Sequence, residues 1–252
     1  MIETAVDTNF LSLDEPHQAF LRDMLRAWYG DFTRVATEAS SIRNKMARIF
    51  ALVFAKDFPT NWQSFFLDIS SHVTVSPVAG DLFLRIMLAI DEEVVDREVE
   101  RSTEITSRNS NLKDSMRMIA MPTICDAWFN IINTYNSTDP ALVGTCLHTI
   151  SLYVSWIDIT LIANERFLNP IFRFLSSDVD VLREGACECA TGLVNKGMSP
   201  STKIQFLQSL QIIERVSAVK ASLPPTGNEE YLLKLSVLVN SIGVSLIVAI
   251  NR

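Results

Sequence analysis

The sequence predicts an all-α protein, a HEAT-repeat-like superhelix in which antiparallel helix pairs stack into an open solenoid. Three observations carry that expectation. Apolar residues recur at three- and four-residue spacing along almost the whole chain, and no stretch alternates with period two between hairpin turns. Proline marks helix starts at Glu15-Pro16, Ser76-Pro77, Asp139-Pro140 and Ser199-Pro200, where its missing N–H has no helical partner to lose. The segments that begin near Ser40, Pro77, Pro140 and Val179 are each followed by a second helical segment, at steps of about 40 to 60 residues, which is the spacing of stacked helix pairs. Periodicity alone leaves a closed helical bundle open as the alternative.

Taken in order, the pattern predicts helices over Pro16 to Tyr29, Ser40 to Asp57, Asn61 to His72, Pro77 to Val95, and Thr103 to Tyr135 with a break at Met121-Pro122. Further helices are predicted over Pro140 to Trp156, Ile159 to Leu175, Val179 to Asn195, Pro200 to Val216 and Glu229 to Ile250. Gly197 follows Asn195-Lys196 where a left-handed helix cap is expected. Two longer connections are expected, Tyr29 to Ala39 and Ser217 to Asn228, the second stopped by Pro224-Pro225 and Thr226-Gly227. The organisation expected is a leading helix and loop over 1–39, a first set of repeats over 40–136 and further repeats over 137–252.

The last segment, Leu232 to Ile250, is apolar around nearly its whole circumference, as a helix between two packed neighbours would be. It approaches the length of a membrane span. Lys234 at one edge and Ser236, Asn240, Ser241 and Ser245 within it favour packing between helices, so no membrane insertion is expected.

Composition excludes several classes of function. Hydrophobic residues at 48% against 20% charged residues give enough apolar surface for a folded core and rule out a disordered chain. Twenty-two Lys and Arg against 29 Asp and Glu leave a net charge of -7, so the chain does not coat nucleic acid with its whole surface, and any such contact is local. Cys125, Cys146, Cys187 and Cys189 lie in apolar surroundings without framework spacing, which fits a reducing compartment. Cys187 and Cys189 point to different faces of a helix, and with only three histidines no metal site is expected. His148 reads as a histidine hydrogen-bonded within the fold rather than a catalytic one. The eight glycines form no phosphate-binding or nucleophile-elbow motif, so neither an enzyme nor a cofactor is expected.

One segment has a distinctive hairpin. Ile42-Arg43-Asn44-Lys45-Met46-Ala47-Arg48-Ile49-Phe50-Ala51-Leu52 is followed by Phe58-Pro59-Thr60-Asn61-Trp62 and Phe65-Phe66-Leu67-Asp68-Ile69. The first helix keeps a basic edge outside and Ile49, Leu52 and Val53 inside, the proline turn reverses the chain, and Trp62 with Phe65 staples the return. This pattern resembles the N-terminal region of the exportins, HEAT-repeat receptors of the importin-β superfamily. Leu82 to Arg97, Arg108-Asn109 with Leu112 to Arg117, Tyr153 to Asp158 with Leu161 to Asn164, and Val194 to Met198 follow in an order that resembles the exportin-t family of tRNA exporters. The resemblance runs from Ile42 to Ile250 and is looser over Met1 to Ser41. It implies an N-terminal-side segment of a longer receptor, with further repeats on both sides. It also implies a monomeric receptor that catalyses nothing, binds tRNA together with Ran in its GTP form, contacts nuclear pore proteins, and shuttles between nucleus and cytoplasm.

Contacts with folded RNA would fall on Arg and Lys. Arg97, Arg101, Arg108, Lys113 and Arg117 form one group, with Arg97 and Arg101, and separately Lys113 and Arg117, four residues apart on a common helix face. Glu98, Glu100, Glu104 and Asp114 interrupt that group. Arg43, Lys45 and Arg48 form a smaller one. Each group reads either as a tRNA or Ran contact or as a solvated face laced with ion pairs. Trp28, Trp62, Trp128 and Trp156 read as core residues rather than base-stacking platforms. The rival reading is a HEAT scaffold or karyopherin for protein cargo without RNA binding.

Overall fold

The computed structural model describes residues 2–95, 100–221 and 228–250. The described residues contain helices and turns and no strand. The helices are α1 (Ile2–Asn9), α2 (Glu15–Gly30), α3 (Phe32–Thr37), α4 (Ser40–Asp57), α5 (Phe65–Ser70), α6 (Pro77–Ile90) and α7 (Thr103–Ser115). They continue as α8 (Met121–Tyr135), α9 (Pro140–Val154), α10 (Glu165–Phe174), α11 (Asp180–Asn195), α12 (Pro200–Ser209), α13 (Ile212–Ala221) and α14 (Glu229–Ile250). They form two compact units, Met1–Ile131 and Ile132–Arg252.

The proline-marked starts are capped as the chemistry asks. Asp14, Ser76, Asp139 and Ser199 accept from the backbone N–H of His17, Val78, Leu142 and Thr202, satisfying donors that the first turn leaves free.

Several boundaries differ from expectation. The break at Met121-Pro122 is instead a π-helical turn over Met116–Ala120, and the chain stays helical on both sides of it. Pro122 lacks an N–H and its ring would collide with the Met118 carbonyl in a regular helix; the wider turn ahead of it relieves both problems. The 29–39 connection holds α3, whose N-terminus is capped by Asp31. The helix expected over Asn61 to His72 shrinks to α5, because the N–H groups of Asn61 and Trp62 turn back to the Asp57 carbonyl. The helix expected over Pro200 to Val216 splits at Gln211, which has φ 50°. Gly197 is not a left-handed cap, since no described glycine has positive φ. Lys196 closes that end instead. The helix stop at Pro224 to Gly227 lies outside the described residues.

Side-chain contacts settle how helices run within each unit. In the first, Arg22 meets Asp57 while Tyr29 meets Phe50, so α2 and α4 are antiparallel. Arg43, near the start of α4, meets Asp81, near the start of α6, and α4 also touches the π-helical turn Asp91–Val95 beyond the end of α6, so α4 and α6 are parallel neighbours. In the second, the Gly144 backbone lies against Val181, His148 meets Glu188 and Gly192 lies against Ser151, so α9 and α11 are parallel. Glu184 and Glu188 meet Lys234 while Val194 meets Ser245, so α14 continues the same parallel row. Closed bundles with short loops place antiparallel neighbours side by side. Parallel neighbours separated by an intervening element are the local signature of stacked hairpins.

The core of the first unit is aromatic. Phe50, Phe54, Phe58, Trp62, Phe65 and Phe66 are buried, with neighbouring ring centroids 5.0–6.4 Å apart, and Trp62 meets Phe65 edge-on at 5.0 Å as the staple predicts. In the second unit α14 is long and apolar enough to cross a membrane by length and composition. Its Tyr231, Leu235, Leu238 and Ile242 are buried, while Leu233, Val237, Val244 and Ile247 on another stripe stay exposed.

Candidate nucleic-acid interface

The basic residues singled out by sequence occupy three different environments. Arg97 lies outside the described residues. Arg101, Arg108, Lys113 and Arg117 are bound into local contacts. Arg101 donates to the Glu92 carbonyl, Arg108 meets Glu93 at 3.4 Å and the amide oxygen of Asn109 at 3.0 Å, and Arg117 pairs with Asp114 at 2.5 Å. Asn109 is buried and donates to the Glu93 carbonyl, so Arg108 belongs to a network that fastens α7 to the π-helical turn over Asp91–Val95. Lys113 is half-buried.

The second group divides. Arg43 is half-buried and pairs with Asp81 at 2.8 Å, its Nε buried without a partner. Lys45 and Arg48 are exposed and have no carboxylate within 4.0 Å among the described residues. Sequence reasoning missed Arg85, whose Nε donates to the same Asp81 oxygen at 2.8 Å and whose guanidinium also reaches the Asn44 side chain. The signal was its place four residues after Asp81, the i,i+4 spacing of a helical ion pair.

Trp62, Trp128 and Trp156 are buried, which leaves them unavailable for stacking on bases; Trp28 is half-buried against Phe50. All four cysteines are buried. Burial pushes Cys187 up to about 12 and Cys189 further, so neither is a thiolate at neutral pH. Both can be buried although they point apart, because α11 has α9 on one side and α14 on the other. His148 is a surface residue hydrogen-bonded to Glu188 at 2.8 Å, and Glu188 also meets Lys234 at 3.0 Å. Burial raises the Glu188 carboxyl, but those two partners outweigh it and hold it below its ordinary range. A recess of about 500 Å³ lined by Phe58, Gln63, Ser64, Phe66, Leu67, Ile119, Ala120 and Thr123 presents amide, hydroxyl and apolar groups without an acid or base.

The arrangement can hold anions at a few exposed cations on a largely acidic chain. A sequence profile described as Exportin 1-like protein matches residues 39–190, more than half of the chain. The chain belongs to the Exportin 1-like family. It is similar to Exportin-T of Homo sapiens, 39% identical over 254 residues that cover 100% of this chain and 26% of that protein. Exportin-T of Danio rerio is 39% identical over 94% of this chain and 25% of its own length, and that of Arabidopsis thaliana 32% identical over 85% and 22%. The chain thus spans about a quarter of the length of the curated relatives it matches. The human alignment takes in Met1 to Ser41, which motif reading matched only loosely.

In this exportin-family chain the residues that carried the resemblance close helix ends. Asp68 accepts from Trp62 Nε1 at 2.7 Å, Ser64 Oγ at 3.0 Å and Arg26 Nε at 2.8 Å, and Arg26 lies over the Trp62 ring at 4.9 Å. Lys196, from the Val194 to Met198 signature, donates to the carbonyls of Val154, Ser155 and Ile157 at 3.0, 3.1 and 2.6 Å. It therefore places a cation on the C-terminal end of the neighbouring α9, where the helix dipole favours one. Lys203 does the same for α11 through the Val194 carbonyl.

Proposed function

We propose that this chain is a segment of a nuclear export receptor that binds tRNA cooperatively with Ran-GTP and carries it to the cytoplasm through contacts with nuclear pore proteins, as a monomeric binding module without catalysis. The observation that carries this reading is the alignment of the whole chain with Exportin-T of human origin, joined to the ordered exportin-t signatures in the sequence. Exposed cations on stacked helices supply the chemistry: folded RNA is gripped by its backbone and shape, so Arg and Lys on a rigid scaffold suffice and base-stacking aromatics are not required. The contact candidates are Arg43, Lys45, Arg48, Arg97, Arg101, Arg108, Lys113 and Arg117. Ran and tRNA are thermodynamically linked, so any factor by which one tightens the other applies in reverse.

The test is an electrophoretic mobility assay of this chain with tRNA at several salt concentrations, with and without Ran-GTP. The expected result is a shifted complex that weakens steeply with salt and strengthens when Ran-GTP is added. No shift at the lowest salt, with or without Ran-GTP, overturns the reading. To separate it from a receptor for protein cargo, Lys113→Glu and Arg117→Glu are cleaner than Arg108→Glu, which would also disturb buried Asn109. Loss of the tRNA shift in a folded variant supports RNA binding; an unchanged shift removes those two residues from the contact.

A further inference from the structure

The edge formed by α4 and α6 holds more positive charge than its own carboxylates cancel. α4 contributes Arg43, Lys45 and Arg48, and α6 contributes Arg85. The carboxylate among them is Asp81, and a single oxygen of it accepts from Arg43 Nη1 and from Arg85 Nε, each at 2.8 Å. One carboxylate shared by two guanidiniums leaves that trio net positive. It also sets both planar groups, and the contact from Arg85 to Asn44 pins the arrangement across the two parallel helices. Arg48 follows Asn44, the residue that Arg85 reaches, by four residues on the same face of α4, and Lys45 lies one turn before Arg48; both are exposed to solvent.

The chemistry of this edge discriminates between partners. Among the described residues, Ile42 is the one large apolar side chain exposed on either helix. A protein partner is held by buried aromatic or aliphatic anchors, which this edge lacks. A sugar–phosphate backbone needs cations and little apolar surface. The chain as a whole carries -7, so a cationic edge confines a polyanion to one place.

We propose that Lys45, Arg48 and Arg85, with Arg43 behind them, form the surface on which the chain holds the backbone of a folded RNA, and that Asp81 is the positioning residue for the two arginines. This rests on the reading above that the chain binds tRNA, and adds to it the place of contact and the part played by Arg85 and Asp81.

Fluorescence anisotropy of labelled tRNA, titrated with the 252-residue chain between about 50 and about 200 mM salt, tests it. The triple variant Lys45→Gln, Arg48→Gln, Arg85→Gln is expected to bind about tenfold or more weakly and to lower the steepness of the log–log salt dependence by about two. The double variant Lys45→Gln, Arg48→Gln changes side chains that have no partner in the described fold, so it controls for loosening of α4 against α6 and is expected to show over half of that loss. Asp81→Asn keeps an acceptor for both arginines and is expected to bind at least as tightly as wild type, whereas Asp81→Ala removes the same charge and also releases both guanidiniums, so it is expected to bind several-fold more weakly than Asp81→Asn; equal affinities in the two variants would remove the positioning role. Unchanged affinity and salt dependence in the triple and double variants, with wild-type binding intact, overturn this surface while the tRNA reading stands. Absence of wild-type binding at the lowest salt, with Ran-GTP present or absent, overturns both. Loss of Ran-GTP binding with tRNA binding retained assigns the edge to a protein partner and overturns the proposal.

Discussion

The two units solve one packing problem with different chemistry. In the first, α4 and α6 lie side by side over an aromatic core and are joined at their edge by guanidinium–carboxylate contacts. In the second, α9 and α11 approach so closely that a Cβ added at Gly144 would sit 2.9 Å from the Val181 carbonyl oxygen, and one added at Gly185 would sit 2.9 Å from Leu147 Cβ. The glycines bring backbone near backbone and leave the charged residues, Glu184, Glu188 and Lys234, to tie α14 to α11. A row joined by arginines keeps strong cations at its rim, available to an anion. A row joined by glycines spends its charge internally. Similar stacking therefore yields one face suited to a polyanion and another whose ion pairs serve the fold.

The first unit, if its charges matter to the fold, shows it most at its buried ion pair. Arg22 and Asp57 form a buried pair at 2.8 Å, 6% and 1% exposed, which fastens α2 to the C-terminal end of α4. Asp57 also accepts from the Asn61 side chain at the start of the proline turn. Removing Asp57 leaves Arg22 with the longer contact to the exposed Glu15 carboxylate, at 3.5 Å, so Asp57→Ala is expected to cost about 3 kcal/mol in urea unfolding, the low end for a broken buried pair. The double variant Arg22→Met, Asp57→Leu removes both charges and is expected to recover a large part of that loss. Equal losses in the two variants would mean that the site acts through packing alone.

In the second unit the corresponding test is steric. Gly185→Ala gains helix propensity worth about 1 kcal/mol but forces its methyl against Leu147 and the Gly144 carbonyl, an overpacking that costs about 1–3 kcal/mol. A net destabilisation of up to about 2 kcal/mol by urea unfolding is expected. Gly30, at the end of α2 with nothing within 4 Å of an added Cβ, is the matched control, and Gly30→Ala is expected to be neutral or stabilising by a few tenths of a kcal/mol. If both substitutions behave alike, the row of α9 and α11 does not need its glycines.

Much of the helical fold was legible in the sequence, and what was not has physical causes. The bounds of α4 and α14 follow from periodicity, because a long amphipathic or apolar run with clear stops has little freedom. The proline starts follow from a local hydrogen-bond deficit that each cap fills within three residues. Three kinds of feature were hidden. The π turn before Pro122 depends on how the carbonyl of residue 118 is displaced, which spacing does not encode. The role of Lys196 depends on α9, some forty residues earlier in the chain, so the local signature suggested a glycine cap instead. The union of Arg43, Arg85 and Asp81 depends on α4 and α6 being parallel neighbours, whereas sequence order groups Arg43 with Lys45 and Arg48 and leaves Arg85 in an apolar helix. Capping and periodicity are local properties; the charged edge arises from pairing distant segments.

The finest difference between the units lies in acid. Glu188 is raised by burial and lowered more strongly by hydrogen bonds from His148 and Lys234, so its folded pKa falls below its ordinary value of 4.5. A carboxyl depressed in the folded state adds stability that is fully present above its unfolded pKa and disappears as pH falls through the lower, folded one. Glu184 and Glu230 also face Lys234 and share its charge, so the contribution of Glu188 alone is expected to be about 1 kcal/mol or less. Glu188→Gln keeps the size of the side chain and removes the titration. Thermal unfolding followed by circular dichroism should show wild type slightly ahead of Glu188→Gln near neutrality, with the gap narrowing below about pH 4.5 and closing once the folded carboxyl is protonated. A gap that persists unchanged into acid would mean that the link from α9 through α11 to α14 is held by shape rather than charge, and the second unit would then owe its row to the glycines alone.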